Sequence, residues 1–347
     1  MAYEIFDGFD HYDASHAFWD TLVGTPSFST SFARFPAAPN CVAKGVNFGS
    51  SVSATKNLAG NRAGLVVSTA FMLSALPATG NEEIIHFKDS GNTQTMFAIS
   101  PSGQIVIICG STVVQGITAS GIISPGVYYF VDIVITFASG TGTCSVYLST
   151  PAGGGPILAL TGINTINTAN SWANQVQIGE LNGRSINVQF DDFHCFTNSG
   201  GVPNAALGEG TRILTKMPNG AGYATTLTPN GAAANWQCVD EVPPDDDTTY
   251  VSAASFPLTE GYAVGAAGFT GVVNGVTRKS RIRKDDASAH TFTNGVRSSS
   301  TNVMSSPANV QSTYAWLDAF FAQDPATSAA WTAAGADAAQ PIISAAS

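Results

Sequence analysis

Charge is scarce in this chain of 347 residues: Asp, Glu, Lys and Arg together make up 11% of it, against about 25% in ordinary soluble domains. The charge present is mainly acidic, for a formal net charge of -10. A phosphate backbone is repelled by such a chain, so no nucleic-acid partner is expected. No stretch reaches the roughly 18 consecutive apolar residues of a membrane helix, and no membrane span is expected. The opening Met1-Ala2-Tyr3-Glu4-Ile5-Phe6-Asp7 has neither a basic nor an apolar leader region, which points to synthesis and folding in a cytoplasm. Catalytic signatures are missing as well. There is no Gly-x-Ser-x-Gly and no Gly-x-x-x-x-Gly-Lys-Ser/Thr, and the histidines (His11, His16, His86, His194, His290) lack motif partners. The Glu-x-Asp-x-Glu strand that sets the paired carboxylates of many β-sandwich glycosidases is also absent. Glu82-Glu83, Asp191-Asp192 and Asp245-Asp246-Asp247 are adjacent residues that alternate faces on an extended strand. The chain is therefore not expected to be an enzyme.

Gly, Ser, Thr, Asn and Ala take the place of the missing charge, and 44% of the residues are hydrophobic. A neutral surface rich in hydroxyls and amides suits subunit packing or sugar contact, because little charge is desolvated when it meets a partner. Helical periodicity is nearly absent. Period-two or short apolar runs bounded by Gly, Asn, Ser and Pro predict strands at 64–73, 83–88, 95–99, 104–109, 112–115, 127–137, 144–148, 176–180 and 187–196. A second set falls at 212–217, 248–254, 261–270, 277–282 and 313–321, and the Ala-rich segment from Ala326 reads as partly helical. Thr197-Asn198-Ser199-Gly200-Gly201-Val202-Pro203 reads as a linker. The expected architecture is all-β: two antiparallel, jelly-roll-like β-sandwiches in tandem, over residues 1–198 and 199–347, the second used for assembly.

Three groups of residues are candidates for function. Asp7 and Asp10 near the start, with Asp191 and Asp192 near the end of the first domain, would share a structural Ca²⁺ if their strands are neighbours; otherwise their side chains cap turns. No other cofactor is expected. The five cysteines show no metal spacing; Cys109 and Cys144 sit in apolar strands, while Cys41 and Cys238 lie near loops and are candidates for interchain disulfides. Pro243, Pro244, Asp245, Asp246 and Asp247 form a stiff, acidic loop read either as solvated or as docking on a neighbouring subunit. The one basic run, Thr277 to Lys284, puts Arg281 and Arg283 on one strand face, paired with acidic neighbours such as Asp285 and Asp286 or with an acidic subunit. The aromatics Phe18, Trp19, Trp172, Trp236, Trp316 and Trp331 are read as core or as sugar-stacking platforms.

Four stretches carry a resemblance: Phe6-Asp7-Gly8-Phe9-Asp10-His11-Tyr12, Phe190-Asp191-Asp192-Phe193, Val239-Asp240-Glu241-Val242-Pro243-Pro244-Asp245-Asp246-Asp247-Thr248-Thr249-Tyr250-Val251 and Pro325-Ala326-Thr327-Ser328-Ala329-Ala330-Trp331-Thr332. Together they resemble a group of tailed-bacteriophage virion proteins, across both domains. The resemblance implies a first domain of concanavalin A-like, laminin-G-like jelly-roll type. It also implies a non-enzymatic structural role: a tail, neck, collar or head-decoration component, homo-oligomeric, in contact with other virion proteins and located in the virion. A host-surface adhesin that binds glycan is the alternative. The chain departs from the group at its end, where Gln340-Pro341-Ile342-Ile343-Ser344-Ala345 carries a proline in place of an uninterrupted apolar strand.

Overall fold

The computed structural model describes residues 3–110, 112–200 and 203–346 and is 46% strand and 5% helix, an all-β protein of antiparallel sheets, as expected. Two compact units are present, one of Met1–Pro36 with Ala43–Ile213 and the other of Ala37–Val42 with Leu214–Ser347.

The first unit contains β1 (Tyr3–Asp7), β2 (Thr21–Val23), β3 (Ser27–Ser29), β4 (Gly45–Phe48), β5 (Ser53–Arg62), β6 (Gly64–Leu73), β7 (Glu82–Asp89), β8 (Asn92–Ile99), β9 (Ile105–Cys109), β10 (Val113–Ile117), β11 (Tyr129–Thr136), β12 (Gly142–Leu148), β13 (Leu158–Ile163), β14 (Ala173–Gly179) and β15 (Val188–Thr197). One sheet has the order β13-β12-β11-β6-β15-β4-β3, with β1 also on β15; the other has the order β10-β9-β8-β7-β14-β5-β2. Facing rings show how the two sheets close on each other: Phe71 of β6 and Phe97 of β8 meet edge-on at 5.9 Å. Phe71, Phe97, Phe130 and Phe190 are at most 1% exposed, and full burial of each such side chain contributes about 2–3 kcal/mol of hydrophobic stabilisation.

The expected strands from Gly64 to Phe196 are all found, within a few residues. β13 and the strands before Gly64 escape the sequence pattern. β2 and β3 are three-residue strands at sheet margins, and β5 is mostly polar, SATKNLAGNR, because one of its faces meets water rather than core.

The expected domain boundary at 198/199 is displaced. Gly201 and Val202 of the predicted linker lie outside the described residues, but the segment after them is tied into the first unit. Asp132, 2% exposed, accepts the backbone N–H of Leu207 at 2.9 Å and of Gly208 at 3.0 Å, besides the Ser68 hydroxyl at 2.5 Å. The Glu209 N–H bonds the Thr150 carbonyl, and Arg34 donates to the carbonyls of Glu209 and Thr211. These bonds satisfy backbone groups that a linker would leave to water, so the first unit continues to Ile213.

In the second unit β16 (Pro218–Ala221), β19 (Leu258–Val264), β27 (Gln340–Ala345), β21 (Thr291–Ser298) and β22 (Thr301–Met304) form a sheet in that order, with β23 (Ala308–Asn309) on β21. β20 (Val276–Ile282) pairs with β24 (Ala315–Phe321), β17 (Thr228–Asn230) with β18 (Tyr250–Ser252), and β25 (Gln323–Asp324) with β26 (Ala329–Ala330). Ala319 and Phe321 of β24 pack with Val296 of β21, Trp331 and Ala339, while Leu317 and Ile282 lie on Tyr262, Phe292 and Ile343. The β20–β24 pair therefore covers one face of the larger sheet, a small sandwich.

One expectation is corrected here, and one strand is found that the sequence pattern did not predict. Residues 212–217 form no strand; Thr215 makes only an isolated bridge to Val42. Gln340–Ala345, despite Pro341, is a central strand between β19 and β21. The proline is tolerated because β19 pairs only from Ile342 onward, so Pro341 has a neighbour on one side alone. The Ala-rich segment supplies α1 (Ala333–Ala338), capped by the Thr332 hydroxyl on the Gly335 N–H.

Candidate functional site

The first and last strands of the first unit do pair, with Asp7 opposite Phe193. Their carboxylates, however, are occupied by the chain's own donors. Asp7 accepts the Tyr12 hydroxyl at 2.5 Å, the Trp19 indole N–H at 2.8 Å and the Phe9 N–H at 3.0 Å. Asp10 accepts the Lys44 N–H at 2.6 Å. Asp191 takes the Arg34 and Asp192 N–H groups, and Asp192 takes the Ile213 N–H at 2.6 Å. Among the described residues no three acidic, His or Cys side chains gather around a point a metal could occupy. Asp7 closes a local turn on Phe9, whereas Asp10, Asp191 and Asp192 tie in backbone N–H groups of segments distant in the chain.

Asp191 and Asp192 lie where the regular alternation of β15 is interrupted. Asp192 has φ of +52° at a bulge in β15, and both residues are buried. Burial raises both carboxyls, that of Asp191 to about 7, with the Arg34 guanidinium 4.0 Å from Asp192 Oδ2 as partial counter-charge.

Cys41 is half exposed, whereas Cys238 is 2% exposed and its thiol donates to the Asn230 and Ala234 carbonyls. As an interchain disulfide candidate Cys238 is thereby corrected: its sulfur lies under the chain's own atoms and cannot meet another subunit without local opening.

The acidic loop folds back on its own unit. Arg281 makes a two-pronged contact with Asp246 at 2.6 and 2.8 Å, and Arg283 holds Asp247 at 2.7 Å. Tyr314 donates to Asp247 at 2.9 Å and lies under both guanidinium groups. Asp245 accepts the Thr249 N–H and hydroxyl. Pro243 follows a cis peptide bond and leads through Pro244 into this acidic run. The basic strand face is thus paired with Asp246 and Asp247 rather than with Asp285 and Asp286, and the Arg283 contact holds the Asp247 carboxyl below its ordinary range.

A face with a different chemistry lies on the second sheet of the first unit. Phe97 points to the core, so its neighbours Met96 and Ala98 point away from it. The register carries that outer face across six strands: Val114 of β10 stands opposite Ile108, Ile108 opposite Met96, Met96 opposite His86, His86 opposite Gln177 and Gln177 opposite Thr55. At one end Met96, Ala98, Val106 and Ile108 form a separate apolar cluster, at most 5% exposed though outside the main core. Beside it stand polar donors and acceptors, two of them, Glu83 and Lys88, charged. His86 Nε2 meets Glu83 at 3.0 Å, Lys88 donates to Gln177 at 3.0 Å, Gln177 to Ser53 at 3.0 Å and Gln175 to Asn57 at 2.8 Å. Sequence reading placed His86 on a strand but missed the row, because Thr55, His86, Gln177 and Met96 come from strands far apart in the chain. Of the six aromatics, Phe18, Trp19 and Trp331 are core, at most 4% exposed, while Trp172, Trp236 and Trp316 are half-buried.

No family model matches the chain, and no curated protein matches it. Among solved structures it is similar to the cellulose induced protein Cip1, with 14% identity and a TM-score of 0.40 over 59% of this chain and 100% of that one. It is also similar to the binding domain of botulinum neurotoxin DC in complex with SialylT, with 14% identity and a TM-score of 0.39, over 56% of this chain and 47% of that one. A third is domain 4 of AbnA, a GH43 extracellular arabinanase from Geobacillus stearothermophilus, in complex with arabinotriose (13% identity, TM-score 0.36, 56% and 93% of the two chains). The chain spans about half the length of the neurotoxin chain it matches. At these scores the likenesses carry no argument about function.

Proposed function

We propose that the protein is a non-enzymatic component of a tailed-bacteriophage virion whose first unit contacts neutral carbohydrate along the outer face of its second sheet. The observation that carries the reading is the part of the row that solvent reaches, Thr55 and Gln177 with Gln175 and Asn57 beside them, while His86, Met96 and Ile108 lie beneath at no more than 8% exposure. Amide and hydroxyl side chains of this kind match a sugar, which offers hydroxyl groups on its rim. Neutral side chains suit it because they leave no uncompensated charge when the hydroxyls replace water. The virion role rests on the resemblance of the four stretches named above and on the low charge of the surface, which favours packing into a homo-oligomer and against other virion proteins.

A glycan array probed with the purified chain tests the carbohydrate reading. Binding to neutral oligosaccharides is expected, weakened about tenfold in Gln177→Ala, which removes a hydrogen-bonding side chain of the row. Absence of binding across the array, or binding untouched by Gln177→Ala and Gln175→Ala, would remove it.

One observation favours a second reading, a purely structural joint. The edge strand β10 exposes Val113 (57%), Val114 (53%) and Ile117 (48%), apolar area that a neighbouring subunit would cover. Tracing the chain in a cryo-EM map of the intact particle separates the two. Burial of β10 against another virion protein supports the joint, whereas an open second-sheet face directed away from the particle supports the carbohydrate reading.

A further inference from the structure

At the end of β14 the first unit holds two glutamates that no motif announces. Gly179, at φ +141°, turns the chain where a Cβ would come within 2.4 Å of the Val52 carbonyl. The turn sends the Glu180 N–H to that carbonyl at 3.0 Å. The Glu180 carboxylate then accepts three backbone N–H groups, those of Ser51 at 2.5 Å, Gly183 at 2.9 Å and Arg184. It is an anion held by the backbone, and it is fully buried. Glu82, at the start of β7, is its neighbour and is also fully buried, yet no donor reaches either of its oxygens. Asn182 is anchored to the same place: its Nδ2 donates to the carbonyl of Asn81 at 2.5 Å, while its Oδ1 is buried without a donor. The nearby cation, Arg184, is exposed and sends its Nε to the Asn81 carbonyl at 2.9 Å rather than to either carboxylate.

Three oxygens without donors, on Glu82 and Asn182, thus stand beside a carboxylate that already has its complement of N–H groups. Buried acceptors of this kind are ordinarily satisfied, and a second buried negative charge is tolerated only with a counter-charge. A proton on Glu82 would join one of its oxygens to Glu180 and leave the other, and Asn182 Oδ1, without a partner. A hard cation serves all of them at once, since such ions take carboxylate and amide oxygens and complete their shell with water. A catalytic use of the two acids is excluded by access, because both are fully buried.

We propose that Glu82, Glu180 and Asn182 bind one Ca²⁺ ion, at residues separate from Asp7, Asp10, Asp191 and Asp192. Calcium fits better than magnesium because these ligands hang from a strand and a loop, and calcium accepts an irregular shell where magnesium demands a regular octahedron. Burial, and then the charge of Glu180, also raise the Glu82 carboxyl to about 8, the direction expected of an acid that lacks its counter-ion.

The test uses the full chain, stripped with EDTA and titrated with CaCl₂ by isothermal calorimetry, with thermal melts at pH 8 in parallel. One calcium per chain and a rise of several degrees in Tm are expected, both absent in Glu82→Gln and the affinity weakened about tenfold in Asn182→Ala, with MgCl₂ less effective than CaCl₂. Glu82→Gln keeps the shape and removes a buried charge, so it should fold; Asn182→Ala gives a second, independent reading if it does not. No calcium-dependent change in Tm, or calcium binding that both variants retain, overturns the proposal.

Discussion

Replacing Asp7 by alanine removes one carboxylate and leaves three donors behind it: the Tyr12 hydroxyl, the Trp19 indole N–H and the Phe9 N–H. Asp7 is fully buried, Tyr12 likewise, and Trp19 is 4% exposed, so water cannot replace the lost acceptor without opening the site. An unsatisfied buried donor costs about 1–3 kcal/mol, and with partial relaxation the substitution should destabilise the first unit by about 3–5 kcal/mol. Phe9 is also held at φ +58° by this turn, a conformation a bulky residue adopts only when its surroundings impose it. Urea unfolding followed by tryptophan fluorescence and far-UV circular dichroism measures the loss. Tyr12→Phe should cost about 1 kcal/mol alone and almost nothing on top of Asp7→Ala, since its hydroxyl has then no acceptor to lose. A loss below about 1 kcal/mol for Asp7→Ala, or a loss that calcium modulates, would refute the reasoning, the latter by restoring Asp7 as a metal ligand.

Three further outcomes follow from the same geometry. Burial raises the Asp191 and Asp192 carboxyls, Asp191 from 3.8 to about 7. The folded state therefore keeps a proton that the unfolded chain has released, so this pair's contribution is full below about pH 4 and is lost as pH rises toward 7. Asp192→Asn should flatten the slope of unfolding free energy against pH in that window. With Ellman's reagent under native conditions, Cys41 should react quickly and Cys238 only after unfolding; fast labelling of Cys238 would mean that its region opens readily. Arg281→Ala should change global stability by less than about 1 kcal/mol, as expected of a partly exposed ion pair, yet raise hydrogen exchange and proteolysis at residues 240–249. Unchanged protection there would show that the loop is held by its backbone and not by the guanidinium.

How much of this was legible before the structure differs from element to element. β6, from Gly64 to Leu73, was readable to the residue because a strand buried on both faces is a continuous apolar run between turn residues. β5 and β27 were not. One is polar because one of its faces meets water, and the other carries a proline that only its one-sided pairing makes acceptable. The boundary at Ile213 was hidden for a related reason: Thr197 to Pro203 has linker composition, and nothing in it announces that the Asp132 carboxylate waits for the Leu207 and Gly208 amides. The candidate site shows the same division. Asp246 and Asp247 could be named as a charged loop, and Arg281 and Arg283 as one strand face, but not as partners of each other. The outer row from Thr55 to Ile108 and the Glu82–Glu180 pair arise only when strands distant in the chain come into register.

The sequence by itself determined the class. Low charge, absent helical periodicity and frequent turn residues leave an antiparallel β protein as the arrangement that buries the apolar runs while pairing the backbone. Tertiary structure alone decided which acids are buried, which donors they meet and which side chains share a face, because those depend on strand order and register. Composition and local pattern do not encode either.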